Sequence, residues 1–146
     1  MPDLCFYAVR NEEGTLRFIP EASRTPEFCL AAVQTDGCAG LWDTPESLKT
    51  AELCLAAVKR NGSALAYVPE QLKTPEICHI AIKGYGLALN DVPEPLVTEE
   101  LCLATVRNDD DRYGDALDDV PDMAKTFRVC LEAVKRQTVV IESMEF

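Results

Sequence analysis

The sequence predicts an all-α fold, a short α-solenoid of about five two-helix repeats of roughly 24 residues, followed by a C-terminal capping helix. Three observations predict it. A cysteine recurs at a nearly constant interval, apolar and small residues recur at fixed offsets from it, and threonine and proline recur where helices begin. The recurring cysteines, separated by 24, 25, 24, 24 and 28 residues, are Cys5, Cys29, Cys54, Cys78, Cys102 and Cys130. A period between twenty and fifty residues is typical of stacked repeats.

We expect a single domain made of consecutive units. Its predicted parts are unit 1 (1–24), unit 2 (25–49), unit 3 (50–73), unit 4 (74–97), unit 5 (98–125) and a cap (126–146). One such unit cannot bury its own apolar face, so neighbouring units must stack against one another.

The first half of each unit predicts an α-helix of about ten residues. An apolar residue stands one position before and four positions after each cysteine, and a small residue stands three positions after it. This spacing traces one face of a helix. A threonine, which is a good N-cap residue, precedes five of the six runs. These threonines are Thr25, Thr50, Thr74, Thr98 and Thr126.

A glycine follows three of the first helices, and we expect it to end the helix in the left-handed conformation. These glycines are Gly37, Gly62 and Gly86. The second half of each unit then follows the pattern G-x-A-L-x-x-V-P-E-x-L-K. Its recurring prolines suit the first turn of a helix, so the pattern predicts a short second helix, or two single turns, antiparallel to the first. The prolines are Pro20, Pro45, Pro69, Pro93 and Pro121.

The cap begins with the first helix of a sixth unit and then leaves the repeat pattern. Residues 137–146 are compatible with a helix or with a short strand, because the apolar run is too short to distinguish the two.

The composition limits the class of partner. The chain has 146 residues with 14 basic and 25 acidic side chains, a formal net charge of −11. Nucleic acids and anionic membranes are bound through clustered Lys and Arg, so we expect neither as a direct partner. Met1 to Cys5 already align with Thr25 to Cys29, which leaves no room for a signal peptide and predicts a cytoplasmic protein.

Two segments carry a resemblance to a known group of proteins. They are Ala56–Leu65 (AAVKRNGSAL) and Ala104–Asn108 (ATVRN). Both resemble an uncharacterised family of bacterial tandem repeats with an A-A-V-K-x-N-G-x-A-L core and repeats of about this length. The resemblance implies an α-helical repeat fold over nearly all of residues 1–136. It implies no activity, cofactor or catalytic residue.

The cysteines and the single histidine predict no catalytic or metal site. The six recurring cysteines stand about one helix spacing apart and lack a C-x-x-C pair, so buried core packing is preferred over metal binding. Cys38 lies outside the recurring row, and its neighbours supply no cation that would activate a thiol. His79 alone cannot form a histidine relay, so we expect a surface or packing role.

Unit 5 contains an acidic insertion, and it carries nine acidic residues against three basic ones. Asp109, Asp111 and Gly114 occupy positions 1, 3 and 6 of an EF-hand loop, but Val120 stands where the decisive glutamate should be. We therefore expect no dedicated calcium site. A solvated acidic loop and a docking surface for a basic partner both stay open.

We expect a non-enzymatic protein-binding module without a cofactor, a monomer or a weak homodimer. It would be an acidic inhibitor, or an antidote or immunity-type protein, that docks on a basic surface of its target. The residues expected to contact the partner are Asp109, Asp110, Asp111, Arg112, Tyr113, Asp115, Asp118, Asp119, Trp42, Tyr67 and Tyr85. The alternatives are a structural module that self-assembles through its end repeats and, less favoured, an enzyme that uses a thiol or a carboxylate.

Overall fold

A computed structural model describes residues 2–11, 15–108 and 117–143, and this part of the chain contains helices and no strand. The fold prediction is confirmed. The α-helices are α1 (Pro2–Asn11), α2 (Pro26–Thr35), α3 (Gly37–Trp42), α4 (Ala51–Arg60), α5 (Pro75–Gly84), α6 (Glu99–Asn108) and α7 (Phe127–Ser143). The 3-10 segments are Thr15–Phe18, Glu21–Ser23, Glu46–Leu48, Gly62–Tyr67, Glu70–Leu72, Gly86–Asp91, Glu94–Leu96 and Asp122–Ala124.

The predicted threonine caps begin the first helices. Thr50 accepts a hydrogen bond from the backbone N–H of Leu53 at 3.2 Å, and Thr74 accepts one from Ile77 at 3.3 Å. The other three threonines accept the equivalent bond. Each cap satisfies one of the N–H groups that lack a partner in the first turn of a helix.

Consecutive first helices pack side by side. α1 contacts α2, α2 contacts α4, α4 contacts α5, α5 contacts α6, and α6 contacts α7. The second halves of units 2, 3 and 4 also contact one another and form a parallel row. The core lies between these two rows. The residue four positions after each cysteine is at most 1% exposed in units 1 to 5. This buried row consists of Val9, Val33, Val58, Ile82 and Val106.

The second halves are built as two short turns. In units 3 and 4 the first turn is a six-residue 3-10 segment, and the proline then precedes a separate three-residue 3-10 turn that begins with the acidic residue. Unit 2 has one extra residue, and its first turn is the α-helix α3, in which Gly40 donates to the carbonyl of Asp36. The two-turn alternative therefore forms in units 3 and 4, whereas unit 2 has a short second α-helix before its proline-containing turn.

The prediction for the glycines is wrong. The first helices end in an extended residue, with φ of −138° at Asp36, −149° at Asn61 and −156° at Tyr85. The glycine that follows begins the next turn, and neither Gly37 nor Gly62 has a positive φ. Gly62 is needed for space, because a Cβ atom on it would stand 2.4 Å from the Ala81 carbonyl oxygen in the next unit.

The prediction that all six recurring thiols face inward fails at the two ends. Cys29, Cys54, Cys78 and Cys102 are buried, whereas Cys5 is exposed and Cys130 is half-buried. The physical reason is the position in the array: the terminal helices α1 and α7 have a neighbouring first helix on one side only.

The cap is helical. α7 continues through Ser143, so the strand alternative for residues 137–143 is wrong, and residues 144–146 lie outside the described part. α7 replaces the second half that follows every earlier first helix. Val134, which belongs to the row buried in units 1 to 5, is 56% exposed as a result.

None of the helices in the described part of the chain combines the length and the apolar character that crossing a bilayer requires.

Candidate partner-binding surface

The structure brings two of the predicted contact residues together. Trp42 is the last residue of α3 in unit 2, and Tyr67 is the last residue of the Gly62–Tyr67 segment in unit 3. Their ring centroids are 5.0 Å apart at an interplanar angle of 73°, an edge-to-face contact. Trp42 remains 65% exposed, so its outer face is available to another molecule.

A groove of about 430 Å³ lies beside this aromatic pair, between the second halves of units 2 and 3. Its lining combines the two rings with the proline-containing turns of both units. The lining residues are Trp42, Glu46, Lys49, Ala66, Tyr67, Val68, Pro69, Glu70 and Lys73. We call it the aromatic groove.

The acidic and basic side chains of the aromatic groove are not equally presented to solvent. The side chains of Glu46 and Glu70 are 66% and 72% exposed, whereas those of Lys49 and Lys73 are 11% and 7% exposed. Each lysine Nζ is within 3.1 Å of the glutamate three residues before it. The carboxylates therefore stand at the surface, while the ammonium groups point toward the protein.

The buried ends of these lysines connect consecutive units. Lys49 Nζ donates to the Tyr67 carbonyl at 3.2 Å, and Lys73 Nζ donates to the Asp91 carbonyl at 2.8 Å. Arg24 makes the same connection from unit 1 to unit 2, where its Nη1 donates to the Asp43 carbonyl at 2.6 Å. Charge-assisted hydrogen bonds of this kind are stronger than neutral ones. We call these three side chains the cationic staples.

A second groove of about 560 Å³ lies one unit earlier, between the proline-containing turns of units 1 and 2. Its lining residues are Glu21, Ala22, Arg24, Pro45, Ser47 and Leu48. We call it the first groove; it shares the acidic residue, the cation and the proline of the aromatic groove but has no aromatic residue in its lining.

One exposed acidic residue per unit follows the proline and begins the second turn. We call this set the acid column; it consists of Glu21, Glu46, Glu70, Glu94 and Asp122. In unit 5 the pKa of the Asp122 carboxyl is lowered by the hydrogen bond that it accepts from Lys125. The column is a row of acidic side chains with the period of the repeat, and three of its five members are ion-paired with the lysine three residues later.

Comparison with known families identifies the group to which the protein belongs. The family described as domain of unknown function (DUF4116) matches twice, over residues 25–73 and over residues 50–97. The chain belongs to the DUF4116 family. Each match spans two consecutive units and the two share unit 3, so one DUF4116 domain corresponds to a pair of 24-residue units. No curated protein and no solved structure matches the chain.

The other predicted contact residues of this DUF4116 protein do not join the aromatic pair. Tyr85 lies beside Gly62, the first residue of the Gly62–Tyr67 segment, whereas Tyr67 is the last residue of that segment. Asp118 is exposed, and Asp119 is half-buried and accepts a hydrogen bond from Asn90 Nδ2 at 2.7 Å. The remaining ones lie outside the described residues: Asp109, Asp110, Asp111, Arg112, Tyr113 and Asp115. The EF-hand comparison concerns the same segment.

The thiols and His79 of the DUF4116 protein have the surroundings of packing residues. Burial raises the pKa of the Cys54 and Cys78 thiols, which disfavours the nucleophilic thiolate. His79 is half-buried on α5. Cys38 is half-buried. The charge interaction between Cys38 and the Tyr67 phenol raises the pKa of that phenol. Among the described residues, no group of three or more His, Cys, Asp or Glu side chains could hold a metal ion.

Sequence reasoning missed the cationic staples and both grooves. The signal for the staples was present in the repeat, because a cation stands directly before the capping threonine in units 1, 2, 3 and 5. The grooves left no comparable signal, since they arise from the space between turns of successive units.

Proposed function

We propose that this protein is a non-enzymatic protein-binding module that docks on a basic region of its partner. In the fuller form of the proposal it acts in the bacterial cytoplasm as an inhibitor, or as an antidote or immunity-type protein. One observation carries the proposal: an exposed tryptophan rests edge-to-face on a tyrosine beside a groove whose carboxylates face outward.

Each part of this surface suits protein recognition. Tryptophan and tyrosine are enriched among the residues that contribute most to binding energy at interfaces. The carboxylates Glu46 and Glu70 complement cationic side chains, and the net charge of −11 accelerates encounters with a basic partner. Lys49 and Lys73 are ion-paired with these two carboxylates, but both lysine side chains are largely buried whereas the carboxylates remain exposed to an incoming cation.

The acidic segment of unit 5 belongs to the same proposal. Asp109, Asp110, Asp111, Arg112, Tyr113 and Asp115 would extend the contact, together with Asp118 and Asp119. Tyr85 would contact the same partner at a separate position. Long-range attraction from such a segment acts on the association rate more than on the dissociation rate.

The proposal is tested with a partner captured by a photo-crosslinking residue at position 66, where the exposed Ala66 lines the aromatic groove, and then purified. Trp42→Ala should weaken binding by a factor of about ten or more. Tyr7→Ala is the matched control, because Tyr7 is a comparably exposed aromatic residue on α1, away from the aromatic groove. The triple variant with Lys at 109, 110 and 111 should slow association and remove its salt dependence. Unchanged affinity in Trp42→Ala would reject the aromatic groove as the docking site.

The end of the array favours a second candidate, a structural module that self-assembles through its end repeats. Phe127, Leu131 and Val134 recur at helical spacing on α7 and are 83%, 41% and 56% exposed. A second copy that docked its first unit on this face would continue the stack. Sedimentation equilibrium over a hundredfold range of concentration distinguishes the candidates: a monomer throughout rejects self-assembly, and a mass that rises with concentration supports it.

A further inference from the structure

We propose that the grooves bind an extended segment in the polyproline II conformation, which runs along the array and carries Lys or Arg at every third residue. The inference rests on the proposed function and specifies the chemistry of the partner. Each cation would lie beside one member of the acid column, and the cation nearest unit 3 would lie against the Trp42 ring.

The period of the surface leads to this conformation. The two grooves occupy equivalent positions between units 1 and 2 and between units 2 and 3, and the acid column supplies one carboxylate at each unit. Neighbouring helices pack at axis distances of about 8–10 Å, so equivalent groups on successive units recur at about that distance.

Only some extended conformations match this spacing. A polyproline II helix has three residues per turn and rises about 3.1 Å per residue, so side chains on one face recur about every 9.3 Å. Side chains on one face of a β-strand recur every second residue, about 6.6–6.8 Å apart. A strand would therefore lose register with the acid column after a single unit, whereas a polyproline II segment stays in register across all three units that border the grooves.

The chemistry of the groove selects cations. Glu21, Glu46 and Glu70 border the two grooves. Glu46 and Glu70 are each ion-paired with a largely buried lysine and are 66% and 72% exposed, so an incoming cation would share each carboxylate with that lysine. An Arg or Lys positioned over an exposed indole ring gains a cation–π interaction, for which tryptophan is the best of the aromatic residues. The guanidinium group of Arg also pairs with a carboxylate through two parallel hydrogen bonds, so Arg is preferred over Lys.

The test uses the full chain and two synthetic peptides of identical composition. Both are proline-rich nonapeptides with three arginines, placed at positions 2, 5 and 8 in one peptide and at positions 2, 4 and 6 in the other. Fluorescence of Trp42, the only tryptophan, reports binding directly. The peptide with arginines at every third residue should bind about tenfold more tightly, because the other can align only one arginine with the acid column at a time.

Three variants locate the site, and their affinities are measured by isothermal titration calorimetry because Trp42→Phe lacks the fluorescent reporter. Trp42→Phe and Glu70→Gln should each weaken binding of the peptide with arginines at every third residue severalfold. Glu76→Gln, at an exposed glutamate in the first turn of α5, should leave its affinity unchanged. If both arginine peptides bound with equal affinity, the inference would be overturned, because attraction to the net negative charge of the protein would then account for binding. Absence of binding by both peptides would overturn it as well. Failure of the proposed function is seen separately, as unchanged affinity of the purified partner for Trp42→Ala.

Discussion

Substitution of Gly62 by alanine should destabilise the stack between units 3 and 4. A Cβ atom at this position would stand 2.4 Å from the Ala81 carbonyl oxygen and 2.9 Å from the Tyr85 Cβ. An ordinary contact is longer than about 3.4 Å, so unit 4 must move by about 1 Å. Its neighbours here are backbone atoms and a Cβ, which cannot rotate away.

Overpacking of this kind costs about 1–3 kcal/mol. The smaller conformational entropy of alanine in the unfolded chain offsets about 0.4–1 kcal/mol of that cost. We therefore expect Gly62→Ala to lower the free energy of unfolding by about 1–2 kcal/mol, and the melting temperature by about 2–8 °C for a chain of this size.

The assay is urea denaturation followed by circular dichroism at 222 nm, with Gly84→Ala as the matched control. Gly84 is the last residue of α5, and a Cβ atom on it would find its nearest neighbour at 3.7 Å, an ordinary contact. Alanine there should raise the free energy of unfolding by about 0.5–1 kcal/mol. If Gly62→Ala were as stable as Gly84→Ala, the close approach of successive units at this glycine would be refuted.

Three further predictions concern other parts of the repeat. Thr50→Ala should lower the free energy of unfolding by about 1 kcal/mol because it removes the N-cap bond of α4, and Thr50→Ser should restore it. Lys73→Met should cost about 1–2 kcal/mol in the same urea assay, whereas Lys59→Met, at an exposed site, should be nearly neutral. Burial raises the pKa of the Cys54 and Cys78 thiols above that of an unfolded thiol, about 8.5. Their contribution to stability should therefore be constant at lower pH and fall as the pH rises above about 8.5, which thermal melts from pH 7 to 10 measure.

The sequence predicted the repeat and its first helices because their signals are local. A capping threonine such as Thr74 bonds to a backbone N–H three residues later. The buried thiol of Cys78 follows that threonine at a fixed offset on the same helix. Their sixfold or fivefold recurrence removed the usual ambiguity between helix and strand. The starts of α2, α4, α5, α6 and α7 followed from the threonines, whereas the length of α7 did not.

The errors arose where a residue acts on another unit. Gly62 was interpreted as a helix stop, although its requirement comes from the Ala81 carbonyl of the next unit. Lys73 was given no role, although its Nζ donates to the Asp91 carbonyl in the next unit. Cys5 was placed inside by analogy with its equivalents, although an end unit lacks the neighbour that would bury it. Contacts between units depend on the three-dimensional stack, which a single repeat pattern does not contain.

The candidate site was predicted in part. Trp42 and Tyr67 were both predicted to contact a partner. Their edge-to-face contact joins the end of α3 in unit 2 to the end of the 3-10 segment in unit 3, and the repeat pattern does not contain contacts between units. The position of Asp119 beside Asn90 also depends on packing between units.

The central claim is that identical units stack with their thiols enclosed between them, and thiol accessibility in the native protein tests it most directly. The folded chain is treated with a small alkylating reagent at pH 7.5, and the modified cysteines are then mapped by mass spectrometry. The account predicts modification of Cys5 first and of Cys38 and Cys130 more slowly, with Cys29, Cys54, Cys78 and Cys102 protected until denaturant is added. Equal modification of all seven cysteines under native conditions would contradict it.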